Sequence, residues 1–417
     1  YDKRSFTMRY LKTQDGSLTP EEMQARIAAL QTFSLAEIKF LSLLPIVPAL
    51  LSLFGSACII SDIRRRRRQT VGTAATTTTN VRTKRARKNG PYERILMQMS
   101  IHDILYTIVF ILSPFMTHAD KWWPTSFGSQ NTCRFIGTLF QFVLTNQLYY
   151  AMLSYYFLLT IRFQVTHKTF GKYYEPWMHA LAVGWPLATA IAGGWVDWYD
   201  ELEFFPGCWV DNYPKGCVGN CKSPMIAWIT GGPVSIGTVI SLFVNNMIIV
   251  CYIRKRYGRH RRSGSEREEG APTTSTTRHP RYARRFSGAL ASEAQQQQRV
   301  RFVSAQACLY VGTYFITYMW FYLLQIAESY SPIYRQNFPA FPFMVLQACF
   351  TPLAGFWNCL IYFRPRFIRL KRVLGNPSSP STTRTSSTAT TTLRIIYITL
   401  FGHDASEISA RARGRVG

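Results

Sequence analysis

The stretch Phe135–Phe163, FIGTLFQFVLTNQLYYAMLSYYFLLTIRF, carries no charge between Arg134 and Arg162. A hydrocarbon layer of ~30 Å is crossed by ~20 helical residues, so this run is long enough to span a membrane and stop on an arginine. Gln147, Ala151, Ser154, Leu158 and Arg162 recur at helical spacing and fall on one face. Small and polar residues on a membrane helix face neighbouring helices, so the run predicts a helix inside a bundle, with Arg162 at the end of its inward stripe. An arginine serving lipid phosphates alone could snorkel from any face.

Working outward from this third segment, Phe135–Ile161, six others have similar length: Ile38–Ile60, Ile95–Met116, Met178–Val196, Met225–Tyr252, Val303–Ile326 and Phe338–Phe363. Prolines inside several of them (Pro45, Pro48, Pro114, Pro186, Pro233, Pro352) break soluble helices but are tolerated where neighbouring helices satisfy the freed backbone groups. The mean hydropathy lies near zero because apolar blocks average against blocks rich in Arg, Thr, Ser and Gln. That segregation is the signature of membrane spans alternating with wet loops. The expected fold is an all-α membrane protein, a seven-transmembrane helix bundle over residues 38–363, preceded by an extracellular segment 1–37.

Charge sets the expected orientation. Ser61–Pro91 holds ten Lys/Arg against one acid, Arg254–Arg301 thirteen against four, and the tail after Phe363 ten against two. The connector Asp197–Pro224, on the other side, carries five acids and two lysines. The positive-inside rule then places the N-terminus outside and the tail in the cytosol, in a multi-pass protein of the plasma membrane. The arginine runs sit in low-complexity loops beside spans and not on an aromatic-bearing domain, so anionic membrane lipids are the expected partner of the +26 net charge, and nucleic acid is not.

Five of the nine cysteines (Cys58, Cys251, Cys308, Cys349, Cys359) lie within spans. The other four, Cys133, Cys208, Cys217 and Cys221, share the outer side, where disulfides persist. Four cysteines allow three pairings. The favoured one is Cys133 with Cys208, tying the third span to the long outer loop, and Cys217 with Cys221, closing a short turn. The loop has no histidine and no paired CxxC spacing, so no metal site is expected.

Asp103 is the only acid well inside the spans, with His102 beside it and His179 near the start of the fourth. Coupled transport usually needs a relay of such groups. A retinal Schiff base needs a lysine, and the seventh span has none. No catalytic residue and no cofactor is assigned. An acid in hydrocarbon costs ~2.5–3.5 kcal/mol, so Asp103 needs partners, and Asn358 and Tyr362, four apart on one helical face, are the expected intramembrane network. Gln141, Trp320 and Tyr322 are taken as pocket residues for an unknown extracellular ligand from their depth alone.

These motifs together resemble those of a seven-helix G-protein-coupled receptor, and the resemblance runs along all seven spans. Met99-Ser100-Ile101-His102-Asp103 resembles the L-x-x-x-D pattern of helix two in rhodopsin-like receptors. Ile161-Arg162-Phe163 resembles their D-R-Y triplet, Trp185 the tryptophan of helix four, and Asn358-Cys359-Leu360-Ile361-Tyr362 the N-P-x-x-Y of helix seven. The chain departs at Ile161, where the acid should be, at Cys359, which replaces the proline, and at Ser56, where Asn is usual; it has no C-W-x-P in the sixth span. Its gap from Cys133 to Arg162 is about one helical turn longer. Cys208-Trp209, Trp185-Pro186 and Pro352–Arg366 look more like the cyclic-AMP-receptor-like and secretin-like branches.

The resemblance implies that Arg162, the inner loops and a helix after the last span engage a heterotrimeric G protein. With no adjoining carboxylate, the Arg162 guanidinium is expected to rest on hydroxyls, carbonyls or water. Residues 364–375 are expected to form an interfacial amphipathic helix, with Phe367, Ile368, Leu370 and Leu374 largely on one face. The basic connectors 61–92 and 254–299 and the tail 376–417 read as disordered. Arg284-Arg285-Phe286-Ser287 matches a basophilic kinase site at Ser287, and the Ser/Thr-rich tail could accept several phosphates. The competing function is a seven-span transporter or a lipid-binding scaffold without G-protein coupling.

Overall fold

A computed structural model describes residues 34–75, 90–117, 125–202, 206–210, 223–269, 280–329 and 340–374. The first span is Leu35–Leu43, continuing after a turn at Leu44 and Pro45 as Ile46–Ala75. Ser34 opens it with a reciprocal cap: its hydroxyl accepts the Glu37 N–H at 3.2 Å, and the Glu37 carboxylate accepts the Ser34 N–H at 2.6 Å. The second span, Pro91–Met116, starts on a proline whose missing N–H costs nothing at a helix start. The fourth is Glu175–Trp195, the fifth Ser223–Glu269 and the sixth Pro280–Ser329.

The third and seventh spans are interrupted. Gln130–Val143 and Thr145–Ile161 meet at Leu144, where the Thr145 hydroxyl donates to the Phe142 carbonyl at 2.6 Å and the Gln147 N–H reaches back only three residues, to Leu144 at 3.0 Å. Short tight turns of this kind inside a helix mark a local change of winding. The seventh span runs Ala340–Phe350, tightens over Thr351–Leu353 at Pro352, and resumes as Ala354–Leu374.

Five stretches among the described residues are long and apolar enough to cross a membrane: Ala36–Gln69, Pro91–Met116, Thr230–Lys255, Phe302–Leu324 and Phe341–Ile368. The other two crossings miss that standard for visible reasons. The third is split into pieces of 14 and 17 residues, and the fourth is diluted by His179, Pro186 and three glycines. Large side chains point outward around the bundle, among them Val47, Leu50 and Phe54 on the first span, Leu181 and Ile191 on the fourth, and Ile240, Phe243 and Met247 on the fifth. Apolar surface distributed in this way is a lipid-facing jacket, and the architecture is an all-α membrane bundle.

The centre is aromatic. Tyr150, Tyr314, Tyr318 and Phe110 are fully buried between the second, third and sixth spans, and Tyr149 is buried between His102 of the second and His179 of the fourth. The first and seventh spans meet at glycine: a Cβ on Gly55 would lie 2.8 Å from the Gly355 carbonyl oxygen and 2.9 Å from Phe356 Cα. The Gly355 N–H donates to the Ser52 hydroxyl at 2.9 Å across the same seam. Small residues are what allow two membrane helices to approach this closely.

Two connector regions expected without structure are partly helical. The first span continues through Arg64–Arg68 to Ala75, the fifth extends to Glu269 and the sixth begins at Pro280. Arg, Gln and Ala propagate a helix once the span has nucleated it. Residues 364–374 are helical too, continuous with the seventh span through Pro365. Segments 1–33 and 375–417 lie outside the described residues, as do Cys217 and Cys221.

Candidate functional site

Asp103 is wholly buried halfway along the second span. Its two oxygens accept from carboxamides on different helices: Asn146 of the third span at 2.6 Å and Asn358 of the seventh at 3.0 Å. Asn146 also donates to the Tyr318 hydroxyl of the sixth span at 3.2 Å, and Tyr150 of the third donates to Asn358 at 3.1 Å. One acid thereby links four spans through donors that satisfy both its oxygens, which is what permits a carboxyl group at this depth.

Tyr362 does not join this network. Its hydroxyl donates to Asp62 of the first span at 2.7 Å, and Asp62 also pairs with Arg366 and, at 3.0 Å, with Arg66. Shared helical face is not shared depth: four residues of helix advance ~6 Å along the axis, beyond the reach of one carboxylate. The Asp62 cluster instead closes the first span against the end of the seventh.

Two further polar hubs flank the third span, one at Gln147, next to Asn146, and one at Gln141, nearer the disulfide. Gln147 accepts from Tyr322 at 2.8 Å and from Tyr314 at 3.4 Å, and the two tyrosine hydroxyls stand 2.6 Å apart. Gln141, fully buried, donates to the Thr189 hydroxyl of the fourth span at 2.9 Å and the Thr230 carbonyl of the fifth at 3.2 Å, while its oxygen accepts the Trp209 indole N–H at 2.7 Å. Trp320 is elsewhere, half-buried against Phe343 and Phe350 of the seventh span. The three expected pocket residues are therefore not one site. Gln141 has its donors and acceptor engaged within the protein, Tyr322 belongs to the Gln147 hub, and Trp320 packs between helices.

The mouth of the bundle is covered by a hairpin. Strands β1, Tyr199–Glu201, and β2, Cys208–Val210, pair antiparallel with Asp200 opposite Trp209. Cys133 and Cys208 form the expected disulfide, 5.5 Å between Cα atoms, fixing β2 to the start of the third span. Tyr199 fits against Gly137 and Gly193, where a Cβ would meet its ring at 2.6 Å and 2.5 Å, so a side chain at either glycine would displace the hairpin. Replacing Cys133 or Cys208 by serine should lower thermal stability and surface level to the same extent, by ~2–4 kcal/mol of folding free energy, and the double replacement should add little because one bond is lost in every case. Peptide mapping that joins Cys133 to Cys217 or Cys221 overturns this connectivity.

At the opposite end Arg162 follows the last helical residue of the third span and is exposed. Its guanidinium lies over the Tyr252 ring of the fifth span, 5.1 Å from the centroid, and over Phe163 at 5.5 Å. The guanidinium, expected to rest on hydroxyls, carbonyls or water, lies here against aromatic faces, which attract a cation through the ring quadrupole. Nearby, Arg94 of the second span clamps Glu175 at the start of the fourth, at 2.6 Å. The sixth span is tied to the second on this side of the bundle by Gln306 donating to Tyr92 at 2.7 Å and by the Tyr92–Tyr310 hydroxyl pair at 3.1 Å.

Asn146, Asp62 and Trp209 carry these connections, and sequence reading assigned none of them a role. Asn146 sits beside Gln147 on the inward stripe, and Asp62 is one turn before Arg66, so both signals were present. Ser287 falls in the helical start of the sixth stretch, Pro280–Ser329. Among the described residues no group of His, Cys, Asp or Glu is arranged to hold a metal.

The chain is similar in fold to squid rhodopsin, whose crystal structure superposes with a TM-score of 0.55 over 94% of this chain and 98% of that one, at 14% identity. At that identity the likeness is one of fold. No family model matches the chain, and no curated protein does.

Proposed function

We propose that the chain is a G-protein-coupled receptor that converts an extracellular ligand signal into guanine-nucleotide exchange on a heterotrimeric G protein. The observation that carries this reading is the position of Arg162: a charged, exposed guanidinium at the end of the third span of a bundle with the rhodopsin fold, opposite the disulfide-bonded mouth. Between the two ends, Asp103 joins the second, third, sixth and seventh spans, so a shift of one of these helices is felt by the other three. The deciding experiment measures nucleotide exchange on a panel of G proteins by the purified chain in lipid. Absence of exchange on every member, with transport or lipid binding instead, would favour a protein that does not couple.

The helical run Arg64–Arg68 and the other basic connectors would lie at the cytosolic leaflet of the plasma membrane and attract anionic lipids there. The same charge imbalance predicts that a tag at the N-terminus is reached by antibody on intact cells and that a tag after Gly417 is reached only after permeabilisation. The reverse labelling ends the receptor reading.

A further inference from the structure

Trp209 is 5% exposed although it belongs to a three-residue strand in a connector. Its indole packs on Phe140 of the third span and Phe321 of the sixth, with ring centroids 6.0 Å and 5.9 Å away. On the fifth span it meets Gly231, where a Cβ would stand 3.0 Å from the ring edge, so the site is shaped for the ring by the absence of a side chain. Its N–H is received by Gln141, whose own amide is held by the fourth and fifth spans. The indole is enclosed on three spans with its polar atom paired, as a bound heteroaromatic ligand would be.

We infer that Trp209 is a tethered occupant of the bundle's ligand site, and that the diffusible ligand class for this site is a flat fused aromatic ring bearing one N–H donor. That this ligand acts as an agonist rests on the receptor reading; that the site binds such a ring does not. Three features favour a replaceable occupant over an ordinary core residue. The ring arrives on a hairpin of only three residue pairs, which is marginal by itself. Its neighbour Cys208 anchors the strand whether or not the ring is seated. Gln141 presents its acceptor in a position fixed by helices and not by the hairpin. A tethered group acts at an effective concentration on the order of mM, so a free ligand must add contacts beyond the indole itself to displace it.

The test uses the full chain in lipid, with indole as the probe. Trp209→Ala should melt at a lower temperature than the parent, and indole should restore the melting temperature saturably. 1-Methylindole, with nearly the same shape and no N–H, should restore it less. The parent chain and Trp209→Phe, whose sites are filled, should not respond to indole. If Trp209→Ala is recovered poorly, indole supplied during expression should raise its yield. Indole without effect on both melting temperature and yield overturns the proposal, as does an equal effect on the parent chain. None of these readouts involves a G protein, so a failure here and a failure of the receptor reading are separately visible.

Discussion

Replacement of Asp103 by alanine is expected to be among the most destabilising single changes in the bundle. The acid itself is costly at this depth, and its removal recovers part of that cost. Its partners, however, remain. Asn358 loses the acceptor for its amide and Asn146 loses the shorter of its two bonds, at 2.6 Å against 3.2 Å to Tyr318. Each buried polar group left unsatisfied costs ~1–3 kcal/mol, and two such groups outweigh the relief from deleting one carboxyl that was already well paired. Asp103→Asn should cost less, since one oxygen can still accept, although its new amide faces a donor.

The measurement is thermal unfolding of the purified variants in lipid, with a double-mutant cycle to expose the pairing. Asn358→Ala should cost less in the Asp103→Ala background than in the parent, with a coupling of about 0.5–3 kcal/mol. Additive effects would mean that the two side chains act independently and that the network is not a unit.

Much of this architecture was legible because membrane spans are written in one dimension. Length and apolar character suffice to find a helix that must satisfy its own backbone, and even the two crossings weakened by a break or by glycines show as long segments without charge. The Cys133–Cys208 bond was accessible because only four of the nine cysteines fall outside the apolar segments. Depth and tertiary partners were not. Tyr362 has the right face for Asp103 and the wrong height. Gln141 looks from its sequence position like a ligand contact, and it is Trp209, 68 residues later, that engages it. The helical ends of the basic connectors were hidden because low hydrophobicity argues against a packed core, whereas a helix leaving the membrane needs no core to continue for a few turns.

The second large effect is expected at Arg162, on exchange and not on stability. Among the described residues the guanidinium makes no buried ion pair: Ile161 stands where a neighbouring acid would, and the charge rests on the faces of Tyr252 and Phe163. Exposed cation–π contacts contribute only ~0.5–1 kcal/mol, so Arg162→Ala should leave the fold and the surface level nearly intact. A partner that accepts the planar fork through several hydrogen bonds would lose far more, because truncating a hydrogen-bonded charge at an interface costs ~2–5 kcal/mol, or well over tenfold in a rate that depends on it. Arg162→Ala should therefore suppress nucleotide exchange strongly, while Arg162→Lys, which keeps the charge and the aromatic contact without the fork, should recover only part. A guanidinium that merely snorkels to lipid phosphate gives the opposite pattern, with lysine restoring everything and alanine changing little. Exchange rate normalised to surface level separates the two, and full exchange by the alanine variant removes Arg162 from the coupling site.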